Sequence, residues 1–231
     1  MRKIVYYLFV LIAAASSAVA KSSEPYYIAP SQVSLSEILS PTPAPDSEAQ
    51  KKDVQAVLNA EQSRTEEQVK SAQADAEVSA FRFADVLGPS FDLESLPYTT
   101  KFFERVTSDE MQIIKAAKEH FNRPRPFMVS QDIHPIIKQP SNASYPSGHT
   151  TFAYLVAIIL ANMVPEKSAA LFERAAVYSH NRVIAGVHFP TDVEAGRIAG
   201  SVIANTLLHE ERFTSDLVQA KAEARRVLNL D

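Results

Sequence analysis

A tight turn, Pro146-Ser147-Gly148-His149, stands directly before an apolar helical stretch that begins near Thr150. Proline fixes φ, and glycine lets the backbone approach a ligand because it has no Cβ. A helix that starts here points unpaired N–H groups and the positive end of its dipole at the turn. The pattern predicts a site for a phosphate-sized anion, with His149 beside it as a proton donor.

Three basic residues elsewhere fall at predicted helix ends or in loops: Lys118, Arg125 and Arg182. Guanidinium groups bind phosphate oxygens bidentately, and an ammonium group adds a point charge. Together with the turn N–H groups, these donors would stabilise the charge that develops when a phosphoryl group is transferred. The residue types therefore indicate phosphoryl transfer.

A histidine and an aspartate, His188 and Asp192, stand four residues apart across a Pro-Thr turn into a predicted helix. Nucleophilic attack on phosphorus needs a neutral imidazole nitrogen, and a carboxylate on the other ring nitrogen fixes the tautomer and steadies the cation that forms. His188 and Asp192 can make that pair, and His149 can then protonate the leaving alkoxide and later take a proton from water.

Hydrophobic periodicity predicts helices along most of the chain. The predicted ranges are 47–83 with a break near 63–65, 98–121 with a kink or division near 107–109, 151–164, 166–184, 192–209 and 214–230. Residues 122–146 form a proline-rich connection of a length typical of functional loops. Without β-hairpin or βαβ signals, we expect an all-α fold, a single compact helical-bundle domain with the active site at helix ends and Lys118 at the rim of a cleft.

The N-terminal residues have the pattern of an export signal. Arg2 and Lys3 precede an apolar run, and Ala18-Val19-Ala20 supplies the small residues that a signal peptidase accepts. We expect a signal peptide over residues 1–20, an extended arm or linker over 21–46 and the helical domain over 47–231. The alternative is a retained membrane anchor, but the apolar run is short for a membrane span. The expected location is periplasmic or secreted, with no membrane anchor after cleavage.

The amino-acid composition restricts the classes of binding partner and ligand that the protein can have. Removing residues 1–20 takes away Arg2 and Lys3 and no acidic residue, so the formal net charge goes from −4 to −6. A mildly acidic protein is a poor candidate for nucleic-acid binding, whose usual footprint is a basic face, so no nucleic-acid binding is expected. The chain has no cysteine, which excludes thiolate metal sites and disulfides.

Three segments carry a resemblance to a known family. Lys118-x6-Arg125-Pro126, then Pro146-Ser147-Gly148-His149, then Arg182-x5-His188-x3-Asp192 resemble the three-part signature of the type 2 phosphatidic acid phosphatase superfamily. Within that superfamily, the chain is most similar to the secreted bacterial class A non-specific acid phosphatases. The likeness extends from about residue 80 to the C-terminus, in motif order and in spacing.

The resemblance implies an enzyme without metal or other cofactor that hydrolyses many small-molecule phosphomonoesters at acid pH, with phosphotransfer as a further activity. It implies that His188 forms a phosphohistidine, that Asp192 orients His188 and that His149 is the general acid and base. The residues that it implies hold the phosphoryl group are Lys118, Arg125, Ser147, Gly148 and Arg182. Members of the family are often homo-oligomers, a state that this sequence leaves open.

One position departs from the family pattern. The family usually has serine directly before the third-motif arginine, and this chain has Asn181 there. Asparagine still donates a hydrogen bond, but its longer amide changes how a phosphate oxygen would be held. The remaining histidines match no familiar metal-ligand spacing and are expected to be structural or exposed; they are His120, His134, His180 and His209.

Three alternatives use the same residues. A vanadate-dependent haloperoxidase would hold vanadate in place of phosphate, although such enzymes are usually much longer. A lipid phosphate phosphatase would need several membrane-spanning helices, which this sequence does not supply. A non-catalytic helical phosphate-binding protein would use the basic cleft for capture alone, but capture does not need the oriented imidazole that His188 and Asp192 would make.

Overall fold

The computed structural model describes residues 24–230, so the predicted signal peptide lies outside the described part. The α-helices are α1 (Leu35–Ile38), α2 (Glu48–Ser63), α3 (Glu66–Ala74), α4 (Ala84–Leu87), α5 (Pro97–Phe121), α6 (Pro126–Val129), α7 (Gly148–Met163), α8 (Ser168–Ile184), α9 (Pro190–Leu207) and α10 (Glu211–Val227). Short 3-10 helices span Pro30–Gln32, Ala80–Phe83 and Pro165–Lys167. No strand occurs between residues 24 and 230, and the expected all-α fold is confirmed.

The break expected near residues 63–65 is present between α2 and α3. Thr65 caps α3, because its side chain accepts a hydrogen bond from the backbone N–H of Gln68 (3.2 Å). The Gln68 side chain in turn accepts one from the Thr65 backbone N–H (2.9 Å). This reciprocal pair satisfies two groups at the helix start, so the polar residues here begin a new helix.

The division expected near residues 107–109 is absent, and α5 runs unbroken for 25 residues. Thr107 donates its hydroxyl hydrogen to the Phe103 carbonyl one turn earlier (2.8 Å), an arrangement that a helix tolerates. The Asp109 carboxylate accepts hydrogen bonds from the three backbone N–H groups of residues 26–28 at 2.7, 2.6 and 3.1 Å. Asp109 therefore attaches the N-terminal segment to α5 and does not interrupt the helix.

The N-terminal segment, residues 24–46, packs against α5 and α10. Tyr27, Ile28 and Leu35 are buried in the main hydrophobic core. The Tyr27 hydroxyl also donates a hydrogen bond to Asp216 of α10 (2.7 Å). These contacts cover the core where α5 meets α10.

Helix α7 lies at the centre of the fold and packs mainly against α8 and α9. It is apolar on most faces, as a surrounded helix must be. On α9, a Cβ at Gly196 would lie 2.6 Å from the Ser147 carbonyl oxygen, and one at Gly200 would lie 2.5 Å from that of Thr151. The two helices approach this closely because both positions lack a side chain. Across residues 24–230, no helix combines the length and the apolarity needed to cross a membrane.

Candidate active site

A cleft of ≈ 890 Å³ lies between α5, the start of α7, the end of α8 and the connecting loops. Six residues predicted for the site line it: Lys118, Arg125, Gly148, His149, Arg182 and His188. The other two, Ser147 and Asp192, are fully buried behind this lining. Three motifs that are distant in sequence therefore meet in one cavity.

His188 is buried, and each ring nitrogen has a defined neighbour. Nε2 lies 2.8 Å from Nη1 of Arg125, and Nδ1 lies 3.3 Å from Oδ2 of Asp192. Because a guanidinium only donates, Nε2 must accept, and the ring proton is on Nδ1 toward the carboxylate. Burial and the charges of Arg125 and Lys118 hold the pKa of His188 well below its usual value. The imidazole is therefore neutral, with the Nε2 lone pair on the side of the cleft.

Asp192 lies behind His188 with three further hydrogen bonds. Oδ2 accepts from the Ser144 hydroxyl (2.5 Å) and from the backbone N–H of Phe189 (2.9 Å), and Oδ1 accepts from Nη1 of Arg123 (2.6 Å). Burial raises the pKa of Asp192, and Arg123 opposes that rise. These bonds fix the carboxylate opposite the His188 ring. Sequence reasoning did not identify Ser144, whose partner is 48 residues away.

Arg123 connects this carboxylate to α2. Nη1 also donates to the Thr191 hydroxyl (2.7 Å), while Nη2 donates to Oε1 of Gln50 and Oδ2 of Asp53 (both 2.7 Å). The guanidinium lies over the Phe189 ring at 4.2 Å. The structure shows a buried cation shared by two carboxylates.

Lys118 is 6% exposed and lines the cleft, so it is more deeply placed than the expected rim position. Its Nζ donates to the carbonyl oxygens of Ala143 (2.5 Å) and Ser144 (3.3 Å). Burial, and then the charge of Arg125, lower the pKa of Lys118 to about 7. The ammonium is thus held by the loop before α7 and gains or loses its proton near neutral pH.

Arg125 spans the loop before α7 and the loop before α9. Nε and Nη2 donate to the carbonyl oxygen (2.9 Å) and to Oδ1 (2.7 Å) of Asn142, and Nη1 donates to the Val187 carbonyl (2.8 Å) as well as to His188. Burial, and then the neighbouring charge of Arg182, lower the pKa of Arg125 to about 10. The group remains a cation at neutral and acid pH.

A short segment after α3, residues 75–77, positions the far side of the cleft. Its successive carbonyl oxygens accept from Nη1 of Arg182 (3.2 Å), from Nε2 of His149 (3.1 Å) and from the Tyr178 hydroxyl. The Asp75 carboxylate is itself buried and accepts from Nη1 and Nη2 of Arg174 at 2.9 and 2.6 Å. No sequence motif marks this segment, because its role depends on carbonyl groups that every residue carries.

Arg182 is buried and lines the cleft. Its Nε has no hydrogen-bond partner within the described part of the chain, residues 24–230. Burial lowers the pKa of Arg182 to about 10, which leaves it charged. An unpaired guanidinium N–H beside a cavity is suited to an anionic ligand.

His149 presents a defined tautomer. Since the Ala76 carbonyl oxygen only accepts, Nε2 of His149 carries the proton and Nδ1 is left as the acceptor. Burial and then the charge of Arg182 lower the pKa of His149 to about 3. The His149 ring is therefore neutral.

The turn at the start of α7 is held from two sides. The Ser147 hydroxyl accepts hydrogen bonds from the backbone N–H (3.3 Å) and hydroxyl (3.0 Å) of Thr150, and so caps α7. The Ser147 backbone N–H donates to the Asp192 carbonyl oxygen (3.0 Å). A Cβ at Gly148 would contact Ile114 at an ordinary 3.4 Å, so protein packing alone does not demand glycine at this position.

Asn181 points away from the cleft. Its amide nitrogen donates to the Ser71 hydroxyl (2.9 Å) and to Oδ2 of Asp75 (2.8 Å), so it supports the segment after α3. The histidines that were expected to be structural or exposed, His120, His134, His180 and His209, do not line the cleft. Within residues 24–230, no group of three or more histidine, cysteine or acidic side chains could hold a metal ion.

Comparison with known proteins agrees with this fold. Residues 108–213 match the PAP2 superfamily, so the chain contains a PAP2 superfamily domain. Among named relatives, it is 29% identical to a non-specific acid phosphatase of Salmonella typhimurium, over 99% of this chain and 94% of the relative. It is 32% identical to an acid phosphatase of Zymomonas mobilis, over 62% of this chain but only 56% of that protein.

Solved structures support the fold. A transmembrane PAP2-type phosphatidylglycerolphosphate phosphatase from Bacillus subtilis superposes with a TM-score of 0.52 at 21% identity, over 69% of this chain and 85% of that one. A bacterial vanadium-dependent iodoperoxidase superposes with a TM-score of 0.59 at 17% identity, over 74% of this chain and 52% of that one. At these identities, the likeness concerns the helical architecture.

Proposed function

We propose that this protein is a metal-independent acid phosphatase that hydrolyses a broad range of phosphate monoesters through a phosphohistidine intermediate. The observation that carries the proposal is the state of His188: a neutral imidazole, with Nδ1–H toward Asp192 and the Nε2 lone pair against the donors of the cleft. The names of the relatives and the superfamily assignment favour the same activity.

In the first step, the phosphate group binds among Lys118, Arg125 and Arg182, whose charges stabilise the equatorial oxygens of the transition state. Arg125 moves its Nη1 hydrogen bond from His188 to a phosphate oxygen, which frees the nucleophile. Nε2 of His188 then forms a bond to phosphorus while the bond from phosphorus to the ester oxygen breaks. The Nδ1–H bond to Asp192 stabilises the imidazolium.

His149 supplies the proton for the leaving alkoxide, and the charge of the substrate makes this feasible. The nearby cations lower the pKa of His149 to about 3, with Arg182 the largest charge contribution after burial. A bound phosphate dianion offsets these charges and raises the pKa of His149 toward its usual value. In the second step, neutral His149 takes a proton from a water molecule. The water oxygen attacks phosphorus, and the bond from phosphorus to Nε2 of His188 breaks.

The same electrostatics favour acid pH. Burial lowers the pKa of Lys118 to about 7, so Lys118 is a cation below that pH and loses its charge above it. His149 must also be protonated to act as the acid. Both requirements are met as pH falls below 7, while the strongly lowered pKa of His188 keeps the nucleophile neutral.

The first experiment is hydrolysis of p-nitrophenyl phosphate by the purified protein at about pH 5.5 with EDTA present. We expect His188→Ala to abolish turnover, while His180→Ala, an exposed histidine outside the cleft, leaves it unchanged. Rapid quenching should trap an acid-labile phosphoprotein in the parent protein and not in His188→Ala. Bromide oxidation with added vanadate in place of phosphate release would instead favour the haloperoxidase alternative.

The role of His149 has its own test, because a good leaving group needs little protonation. His149→Ala should slow hydrolysis of an alkyl phosphate at least about tenfold more than hydrolysis of p-nitrophenyl phosphate. Equal losses on both substrates would contradict the general-acid role.

Two further proposals follow from this chemistry and from the N-terminus. An added alcohol should compete with water for the phosphohistidine and yield a new phosphomonoester, detectable by phosphorus NMR.

Residues 1–20 should be removed on export to the periplasm, so that N-terminal sequencing of the mature protein begins at Lys21. An intact Met1 on exported protein would contradict the cleavage site.

A further inference from the structure

The cleft is longer than a phosphate group requires. It follows α5 from Ser108 to Glu119, about 16 Å at 1.5 Å per residue, whereas the phosphate-binding side chains gather near Lys118. The apolar side chains of Val78, Ile114 and Phe152 also line the cleft. A second part of the cavity thus extends beyond the reacting atoms.

Glu110 stands in this second part and has no role in the proposed chemistry. It lines the cleft, is 3% exposed, and its Oε1 has no hydrogen-bond partner within residues 24–230. Burial raises the pKa of Glu110 to about 8, with only Lys118 opposing, so the carboxyl group is neutral at acid pH. Buried polar atoms are normally paired, and an unpaired one beside a cavity is available to bind a ligand group.

We propose that Glu110 is the specificity-determining residue of a leaving-group subsite, where its carboxyl group hydrogen-bonds the far end of an extended phosphomonoester. This proposal rests on the phosphatase function above. The ligand it fits has a phosphate at one end and, at the other, a flat ring whose edge carries one hydrogen-bond donor beside one acceptor.

The length and chemistry of the cavity select this ligand class. Glu110 and Lys118 are eight residues apart on one face of α5, about 12 Å along the axis, which suits a leaving group of nucleoside size. A neutral carboxyl group both donates and accepts, so it complements the amino-nitrogen edge of an aminated base. A ligand with an ammonium group is disfavoured, because Lys118, Arg125 and Arg182 already make the cleft positive.

The test compares adenosine 5′-monophosphate with ribose 5-phosphate, which has the same phosphate arm but lacks the base. Glu110→Leu should lower kcat/KM for the nucleotide about tenfold, mainly through KM, and leave ribose 5-phosphate within about twofold. Glu110→Gln should restore most of the loss, because an amide also donates and accepts. Glu119→Leu removes an acidic residue from the exposed rim of the same cleft and should change kcat/KM for neither the nucleotide nor ribose 5-phosphate.

The outcomes separate the subsite from the chemistry. Equal losses on both substrates in Glu110→Leu would show a structural role and overturn the subsite. So would unchanged kinetics on the nucleotide. A parent protein that hydrolyses neither substrate would overturn the phosphatase function itself. An unfolding temperature of Glu110→Leu at or above that of the parent, beside a selective loss on the nucleotide, would support a residue kept for binding.

Discussion

Replacing Arg123 by methionine should destabilise the protein far more than loss of an ordinary surface arginine. The guanidinium forms ion pairs of 2.7 Å with Asp53 and 2.6 Å with Asp192, and all three side chains are at most 4% exposed. Methionine has a similar apolar stem but no charge. Two buried carboxylates would then face each other across α2 and α9 without a counter-ion.

The magnitude follows from the burial of the cluster. Removing one partner of a buried ion pair costs about 3–5 kcal/mol, because an uncompensated charge remains. That is a large part of the roughly 5–15 kcal/mol by which folded domains are stable. Arg197, whose pair with Glu194 on α9 is about half exposed, provides the control. Arg197→Met should cost less than about 1 kcal/mol.

The assay is urea unfolding followed by circular dichroism, extended to a double-mutant cycle with Asp53→Asn. Because the two groups are in contact, Arg123→Met and Asp53→Asn should show a coupling free energy of at least about 1 kcal/mol. Equal stability of Arg123→Met and Arg197→Met, or strict additivity in the cycle, would refute this account of the buried cluster.

Three other changes have defined outcomes. Asp192→Asn should lower kcat on the order of a thousandfold with little change in KM, because the His188 tautomer is no longer fixed; an unchanged kcat in steady-state assays would contradict that role. Gly196→Ala should cost about 1–3 kcal/mol in urea unfolding through its clash with the start of α7, while exposed Asn205→Ala stays within about 0.5 kcal/mol, and equal values would argue against close packing. Sulfate, a dianion throughout this range, should raise Tm more at pH 5 than at pH 8, because burial lowers the pKa of Lys118 to about 7 and the lysine is charged only below it; equal shifts would contradict this.

The helical architecture could be predicted well from the sequence because the signals for helices are local. Apolar periodicity, the cap at Thr65 and the turn before α7 each depend on residues close together in the chain. The unbroken α5 was not foreseen, since a Thr-Ser-Asp triplet usually indicates a helix boundary. Here Asp109 instead binds backbone groups more than 80 residues away.

The lining of the cleft was accessible to sequence reasoning, but its supporting residues were not. Lys118, His149 and Arg182 belong to motifs with recognisable spacing, and the structure brings them to one cavity. Arg123 and Asp53 are separated by 70 residues, and Arg182 and Asp75 by 107. Such pairs leave no local pattern, because only the packing of α2 and α3 on the later helices brings them together.

The glycine contacts between α7 and α9 also mean that some parts of the protein tolerate substitutions better than others. These two helices carry the turn with His149 and the His188–Asp192 pair on one tightly joined body, and a side chain at Gly196 or Gly200 would meet backbone atoms. Helix α5 packs much less extensively on α7, yet it forms one wall of the cleft. Residues of the α5 wall other than Lys118 could therefore change while the His149 turn and the His188–Asp192 pair keep their alignment.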